Sequence, residues 1–143
     1  MRRAGFLCLL LLSGCASDGP PVEIVVPTGY TGMVWIVVDP DAPEIPLVNG
    51  RYEVVIPAGG VLRVRSLKPF LRWHSQTARY QDGMPLPAER DNPEVIALRG
   101  SSTSVIHPRN GREYRTLSFF VGTAKQYHEL SRDELFELPE AAK

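Results

Sequence analysis

Cysteine is scarce in this chain: two thiols, Cys8 and Cys15, occur in 143 residues, and both fall near the start. A disulfide framework needs paired cysteines spread through the fold, so the body must hold together by its core. At this length a single core buries about two-thirds of the unfolded surface, which is enough. An excess of one charge is missing as well. The 16 Lys+Arg are matched by 16 Asp+Glu, whereas a nucleic-acid binder ordinarily carries a basic excess or stripe, so no nucleic-acid partner is expected. No apolar run reaches the roughly 20 residues that cross a bilayer as a helix. The Gly-x-Ser-x-Gly elbow, the His-Glu-x-x-His pair, the phosphate-binding loop and the dinucleotide fingerprint are absent from the sequence. No catalytic residue, cofactor or metal is therefore expected. Internal repeats and low-complexity segments are lacking too.

What is present starts at the amino terminus. Arg2 and Arg3 precede an apolar and glycine run from Gly5 to Leu12. That run fits the apolar region of about 7 to 15 residues found in an export signal. It ends in Leu12-Ser13-Gly14-Cys15, which resembles the lipobox of bacterial lipoproteins: an apolar residue, two small residues, then cysteine. Small residues let a peptidase reach the backbone, and a thiol is the nucleophile that takes a thioether-linked diacylglycerol. The resemblance implies a signal peptide over 1–14, cleavage between Gly14 and Cys15, and fatty acyl chains such as palmitate on Cys15. The membrane is then a partner through that lipid. The competing reading is an ordinary export signal with a fortuitous cysteine.

After such processing Cys15 is the sole cysteine left, so its work is attachment and not cross-linking. Each buried acyl CH₂ contributes about 0.8 kcal/mol, and several chains together make release negligible. Removal of Arg2 and Arg3 leaves 14 Lys+Arg against 16 Asp+Glu, so a purely electrostatic grip on anionic lipid is not expected. Ala16 follows the cysteine, and a residue other than Asp there implies outer-membrane sorting in two-membrane bacteria. Residues 15–21, with Ser17, Asp18, Gly19, Pro20 and Pro21, read as the acylated cysteine and a short linker.

Downstream, 12 Gly and 13 Pro punctuate the chain too densely for a helical bundle and suit many short strands. Val22 to Val26 is an apolar run stopped by Pro27. Met33 to Val38 is apolar throughout, which predicts a central strand covered on both faces. A loop follows from Asp39 to Glu44, because Pro40 and Pro43 remove strand donors. Asn49-Gly50 between extended residues is the strongest short hairpin signal. Tyr52, Val54 and Ile56 then alternate onto one face, and Pro57-Ala58-Gly59-Gly60 turns the chain. Leu62 and Val64 point opposite to Arg63 and Arg65, and these segments are expected to form a compact meander.

Further on, the pattern predicts a polar strand within 73–80, irregular chain from Gln81 to Pro93, and extended pieces at Val95 to Leu98 and Thr103 to His107. Asn110-Gly111 marks a turn, and Thr116 to Val121 a core strand. Only the tail reads as helical. Thr123 with Gln126, and Ser131 with Glu134, fit the capping-box spacing, and Leu130, Leu135 and Leu138 supply an apolar side. The expected core is Val34, Trp35, Ile36, Val37, Val54, Ile56, Leu62, Val64, Leu117, Phe119 and Val121. Each contributes about 1.5–3 kcal/mol when fully buried, before entropy is subtracted.

The order from Gly32 to Val64 is apolar strand, Pro-rich loop, short strand, Asn49-Gly50-Arg51-Tyr52, a strand ending in Ile56-Pro57, then Gly60-Val61-Leu62. It resembles the prealbumin-like (transthyretin-like) sandwich shared by carboxypeptidase-regulatory and collagen-adhesin B-type repeats. With Pro27 to Val34, Phe119 to Thr123 and Tyr127 added, the chain is similar over most of its length to an uncharacterised bacterial lipoprotein domain. The resemblance implies an all-β fold: one antiparallel β-sandwich of about seven or eight strands over 22–143, with a short C-terminal helical segment. It implies no activity.

Several constellations bear on chemistry. His74, His107 and His128 are 33 and 21 residues apart, so a zinc site would need tertiary assembly. Asp39, Asp41 and Glu44 offer oxygen ligands but no turn of the kind calcium loops use, and a solvated acidic loop is the favoured reading. A Ser-His-Asp set can be drawn from Ser75, His107 and Asp82 or from several others, and that freedom is no signal. Arg63, Arg65, Arg72 and Arg79, with Arg112 and Arg115, are expected on one sheet face beside Trp73 and Tyr80. Arginine with aromatics suits an envelope protein or glycan partner, because the guanidinium stacks while it hydrogen-bonds; the plainer reading is a wet outer face. Tyr30 is expected to close its turn and Trp35 to fill the core. The expected function is a lipid-anchored, non-enzymatic binding or scaffolding module of the bacterial envelope. The alternative is an envelope hydrolase or metal-dependent enzyme using His74 or His107.

Overall fold

The computed structural model describes residues 18–87, 92–106 and 111–142. The export segment with Gly14 and Cys15, and His107 with Asn110, lie outside the described residues. Nine strands form among the described residues: β1 (Val22–Val26), β2 (Gly32–Val38), β3 (Leu47–Val48), β4 (Arg51–Val55), β5 (Val61–Val64), β6 (Gln76–Tyr80), β7 (Pro85–Leu86), β8 (Ala97–Ile106) and β9 (Tyr114–Gly122). Two short helices follow, α1 (Ala124–His128) and α2 (Arg132–Phe136).

The strands make two sheets, in the orders β3-β4-β1-β6-β7 and β5-β2-β9-β8. Their inner faces pack on one another. Val22, Ile24, Val26, Val54 and Ile56 of the first meet Val34, Ile36, Val64, Leu117, Phe119 and Val121 of the second in one buried cluster. The all-β sandwich with a short helical tail thus stands, but its expected antiparallel pairing does not. β1 runs parallel to β4 and to β6, and β2 runs parallel to β5. The cause is the route of the chain. After β1 it crosses to β2 in the other sheet, returns to β3 and β4, crosses to β5 and returns to β6. β4 and β6 are two crossings apart, by way of β5, and point the same way; β4 also matches β1, because the loop from β2 enters β3 without a reversal and the hairpin then turns the chain into β4. For the same reason the segments from β3 to β5 are not a meander: Pro57 to Gly60 arches from one sheet to the other.

This path gives the sandwich two ends. At one end, called the tether pole because the linker expected over 15–21 leads into it, β1, β4 and β6 begin, with Val22 opposite Tyr52 and Gln76. At the far pole they end, β2 begins, and β9 passes into α1.

The apolar run of β2 has a concrete explanation. Val34 and Ile36 face the inter-sheet core, while Trp35 and Val37 face outward and are covered by Leu138 and Ala142 of the tail, beside Tyr114. Trp35, 3% exposed, therefore fills a second, smaller core under the tail. That tail is placed by two capping boxes. Thr123 and Gln126 cap α1, and Ser131 and Glu134 cap α2, with side chain and backbone reciprocally bonded in both.

The hairpin turn between β3 and β4 places Asn49 at φ 50 and Gly50 at φ 76, the two left-handed positions such a turn requires. At the far pole Gly60 (φ 73) leaves room for the Tyr30 hydroxyl and would put a Cβ 2.8 Å from the Met33 carbonyl. Tyr30 closes its turn by donating to that carbonyl at 2.6 Å. The two extended pieces expected around residues 95–107 are largely one strand, β8, with an irregularity between Arg99 and Ser102.

Candidate functional site

The six residues expected to share one contact surface are distributed over the molecule. Arg63 lies on β5, at the edge of the four-stranded sheet, and its Nη1 pairs with Asp39 at 3.4 Å. Just beyond that strand, Arg65 donates through Nε to the Ala42 carbonyl at 3.2 Å. Arg79 belongs to β6 in the opposite sheet, where its Nε lies 3.4 Å from Glu23, and Arg51 holds the other oxygen of that carboxylate at 2.8 Å. Tyr80 is 8% exposed and takes part in the core. Its hydroxyl donates to the Tyr30 carbonyl at 3.3 Å. Burial, with the Asp82 carboxylate beside it, raises its pKa above the usual phenol value, and burial does the same for Tyr30. The single arginine and aromatic face is therefore corrected. Alternation along a strand fixes which side chains share a face, but not which sheet the strand joins.

Arg72 and Trp73 stay together, at the tether pole. They follow a 3₁₀ turn over Lys68–Phe70 that Pro69 begins and Leu71 ends. Trp73 is 81% exposed and Leu71 75%. The linker runs against them, with the Gly19 N–H donating to the Trp73 carbonyl at 2.8 Å and Val22 to that of Ser75 at 2.9 Å. Leu71 also lines a groove of ≈ 540 Å³ at this pole, with Val38, Leu67 and Val105 as apolar wall and Arg65, Lys68 and Arg115 as cationic rim. The sequence pattern contained the sign of this: Pro69 bars a strand just where Leu71 and Trp73 would otherwise alternate into one.

The histidines are not brought together. His74 Nδ1 donates to the Arg72 carbonyl at 2.7 Å, and its ring meets Phe70 edge-on at 5.8 Å. His128 stands against Tyr127 on α1 at the far pole. In the acidic loop, Asp39 accepts from the Asp41 N–H at 3.0 Å and Glu44 accepts from Ser66 Oγ at 2.9 Å. Among the described residues no group of three His, Cys, Asp or Glu is placed to hold a metal ion. No helix among them is long and apolar enough to cross a membrane.

One charged residue passed over in the sequence is Arg99. It is 4% exposed, and its guanidinium bonds to backbone: Nε donates to the Gly122 carbonyl at 2.8 Å and Nη2 to that of Val95 at 2.8 Å. It ties the segment 92–96 to the end of β9, next to the start of α1, where Ala124 donates to Pro93 at 2.8 Å. Burying an unpartnered cation is costly, but charge-assisted bonds to carbonyls compensate it. Arg99 is a strut.

No protein-family model matches the chain, and no curated protein matches it. Among solved structures, the chain is similar to a Bacillus anthracis protein given the provisional name lipoprotein, at 17% identity and a TM-score of 0.48, over 85% of this chain and 82% of that one. Likeness of that degree transfers no role.

Proposed function

We propose that this chain is a lipid-anchored lipoprotein of the bacterial envelope, held through Cys15, and that its body is a non-enzymatic binding or scaffolding module. The observation that carries this is the sequence Leu12-Ser13-Gly14-Cys15 placed after Arg2-Arg3 and a short apolar run. Supporting it, β1 begins at Val22, so the folded body starts seven residues after the attachment atom, with a Gly and Pro linker between. Ala16 favours the outer membrane as destination. The prealbumin-like resemblance belongs to the same proposal: two packed sheets and the Asn49-Gly50 hairpin support it, and the parallel pairings weigh against it.

A scaffold of this kind works by position. A body stiffened by a shared inter-sheet core presents its faces to envelope proteins or glycans at a fixed height, and the lipid keeps it there. The test is metabolic labelling with an alkyne fatty acid together with fractionation. Wild-type chain takes the label and stays with membranes after a carbonate wash, while Cys15→Ser takes none and is recovered in the soluble envelope fraction. A Cys15→Ser chain that still takes label, or that resists the wash, contradicts the proposal.

A further inference from the structure

We infer that the tether pole is itself a membrane-contact surface, with Trp73 and the adjacent Leu71 seated in the interfacial zone of the bilayer that holds Cys15. This rests on the lipid-anchor reading above and adds a second point of contact to it.

The linker is pinned to Trp73 by the bond from the Gly19 N–H to the Trp73 carbonyl, 2.8 Å long, and a Cβ on Gly19 would lie 3.4 Å from that of Arg72. Cys15 precedes Gly19 by four residues. Four residues span at most about 14 Å in any conformation, since each adds no more than about 3.6 Å. An acyl-bearing Cys15 therefore keeps the Trp73 carbonyl within about 17 Å of its own backbone, the chain span plus the 2.8 Å bond, close enough for the Trp73 side chain to reach a headgroup layer about 5–7 Å deep.

Trp73 and Leu71 are among the most exposed large apolar side chains of the described residues, at 81% and 75%. A tryptophan joins a broad apolar ring to one N–H donor, which suits the boundary between acyl chains and headgroups. Lys68 and Arg72 flank them, and their long stems can lie along apolar surface with the charged ends at phosphate. The contact is interfacial and not a polybasic grip, in keeping with a body that carries no cationic excess. A bilayer also accounts for what the fold does not: these side chains sit where the tether enters.

The test uses the purified acylated chain in vesicles of phosphatidylethanolamine and phosphatidylglycerol, with and without bromine on the acyl chains. The chain has two tryptophans. Trp35 is enclosed by protein, so bromine should quench Trp73 alone and remove roughly half of the emission. Trp73→Ser, which alters no buried contact, should abolish the quenching while intact mass still reports the lipid. Acylated protein with equal emission in both vesicles overturns the inference and leaves the anchor standing. Emission that resists bromine and is also shielded from iodide overturns it in favour of a second copy covering the pole. An unmodified sulfur overturns the anchor, and the inference falls with it.

Discussion

At the far pole a guanidinium is buried and its bonds go to backbone carbonyls, whereas at the tether pole an indole and an isobutyl group stand in water. Arg99, 4% exposed, joins β8, β9 and the segment 92–96, and the two capping boxes fasten the tail that covers Trp35. Trp73 and Leu71 contribute little to the core. The contrast is one of exposure: the far pole uses its polar and apolar groups within the fold, while the tether pole leaves two large apolar side chains outside it.

The comparison can be broken by stability measurements, and the largest change is expected at Arg99. Arg99→Ala leaves carbonyls without their charge-assisted donors and should cost about 3 kcal/mol, read from the urea midpoint. A loss below about 1 kcal/mol would remove the strut. Changing Asn49-Gly50 to Ala-Ala should cost about 2 kcal/mol, because two L-residues must then hold positive φ. An unchanged melting temperature would contradict the turn, and a large loss would show that the tether pole also has a stiff frame.

Ser131→Ala should cost about 1 kcal/mol by removing the cap of α2. The same cap has a pH signature. Hydrogen bonds from the Ser131 hydroxyl, then its backbone N–H, hold the Glu134 carboxyl below its ordinary value of 4.5. Its contribution is therefore complete above that value and is lost as pH falls through the lowered folded one. The Ser131 amide resonance, whose N–H donates to Glu134 at 2.8 Å, should titrate with a midpoint below 4.5; a midpoint at or above it would contradict the cap. Smallest of all, Leu71→Ser with Trp73→Ser should leave stability within about 0.5 kcal/mol. A larger cost would place these side chains among the supports of the fold.

Local chemistry was readable in the sequence wherever one segment decides the outcome. The Asn49-Gly50 turn, both capping boxes, the loop at Pro40 and Pro43 and the two-faced apolar strand β2 all appear where the residues indicate. Pairing between distant strands was not readable. Periodicity gives each strand a buried face but says nothing of the sheet it joins, so neither the parallel neighbours of β1 nor the separation of Arg63 from Arg79 follows from it. Arg99 was passed over because an arginine in a polar stretch looks solvated until backbone carbonyls surround it. The exposed pair at Leu71 and Trp73 is only half visible: alternation assigns Trp73 to a sheet face that it does not share.

The central claim is that a lipid on one sulfur sets which way this body faces. Intact-mass spectrometry of the chain purified from its own membranes tests it most directly. The account predicts an amino terminus at Cys15 carrying diacylglycerol and further acyl mass; a free thiol there, or a terminus upstream of it, would contradict it.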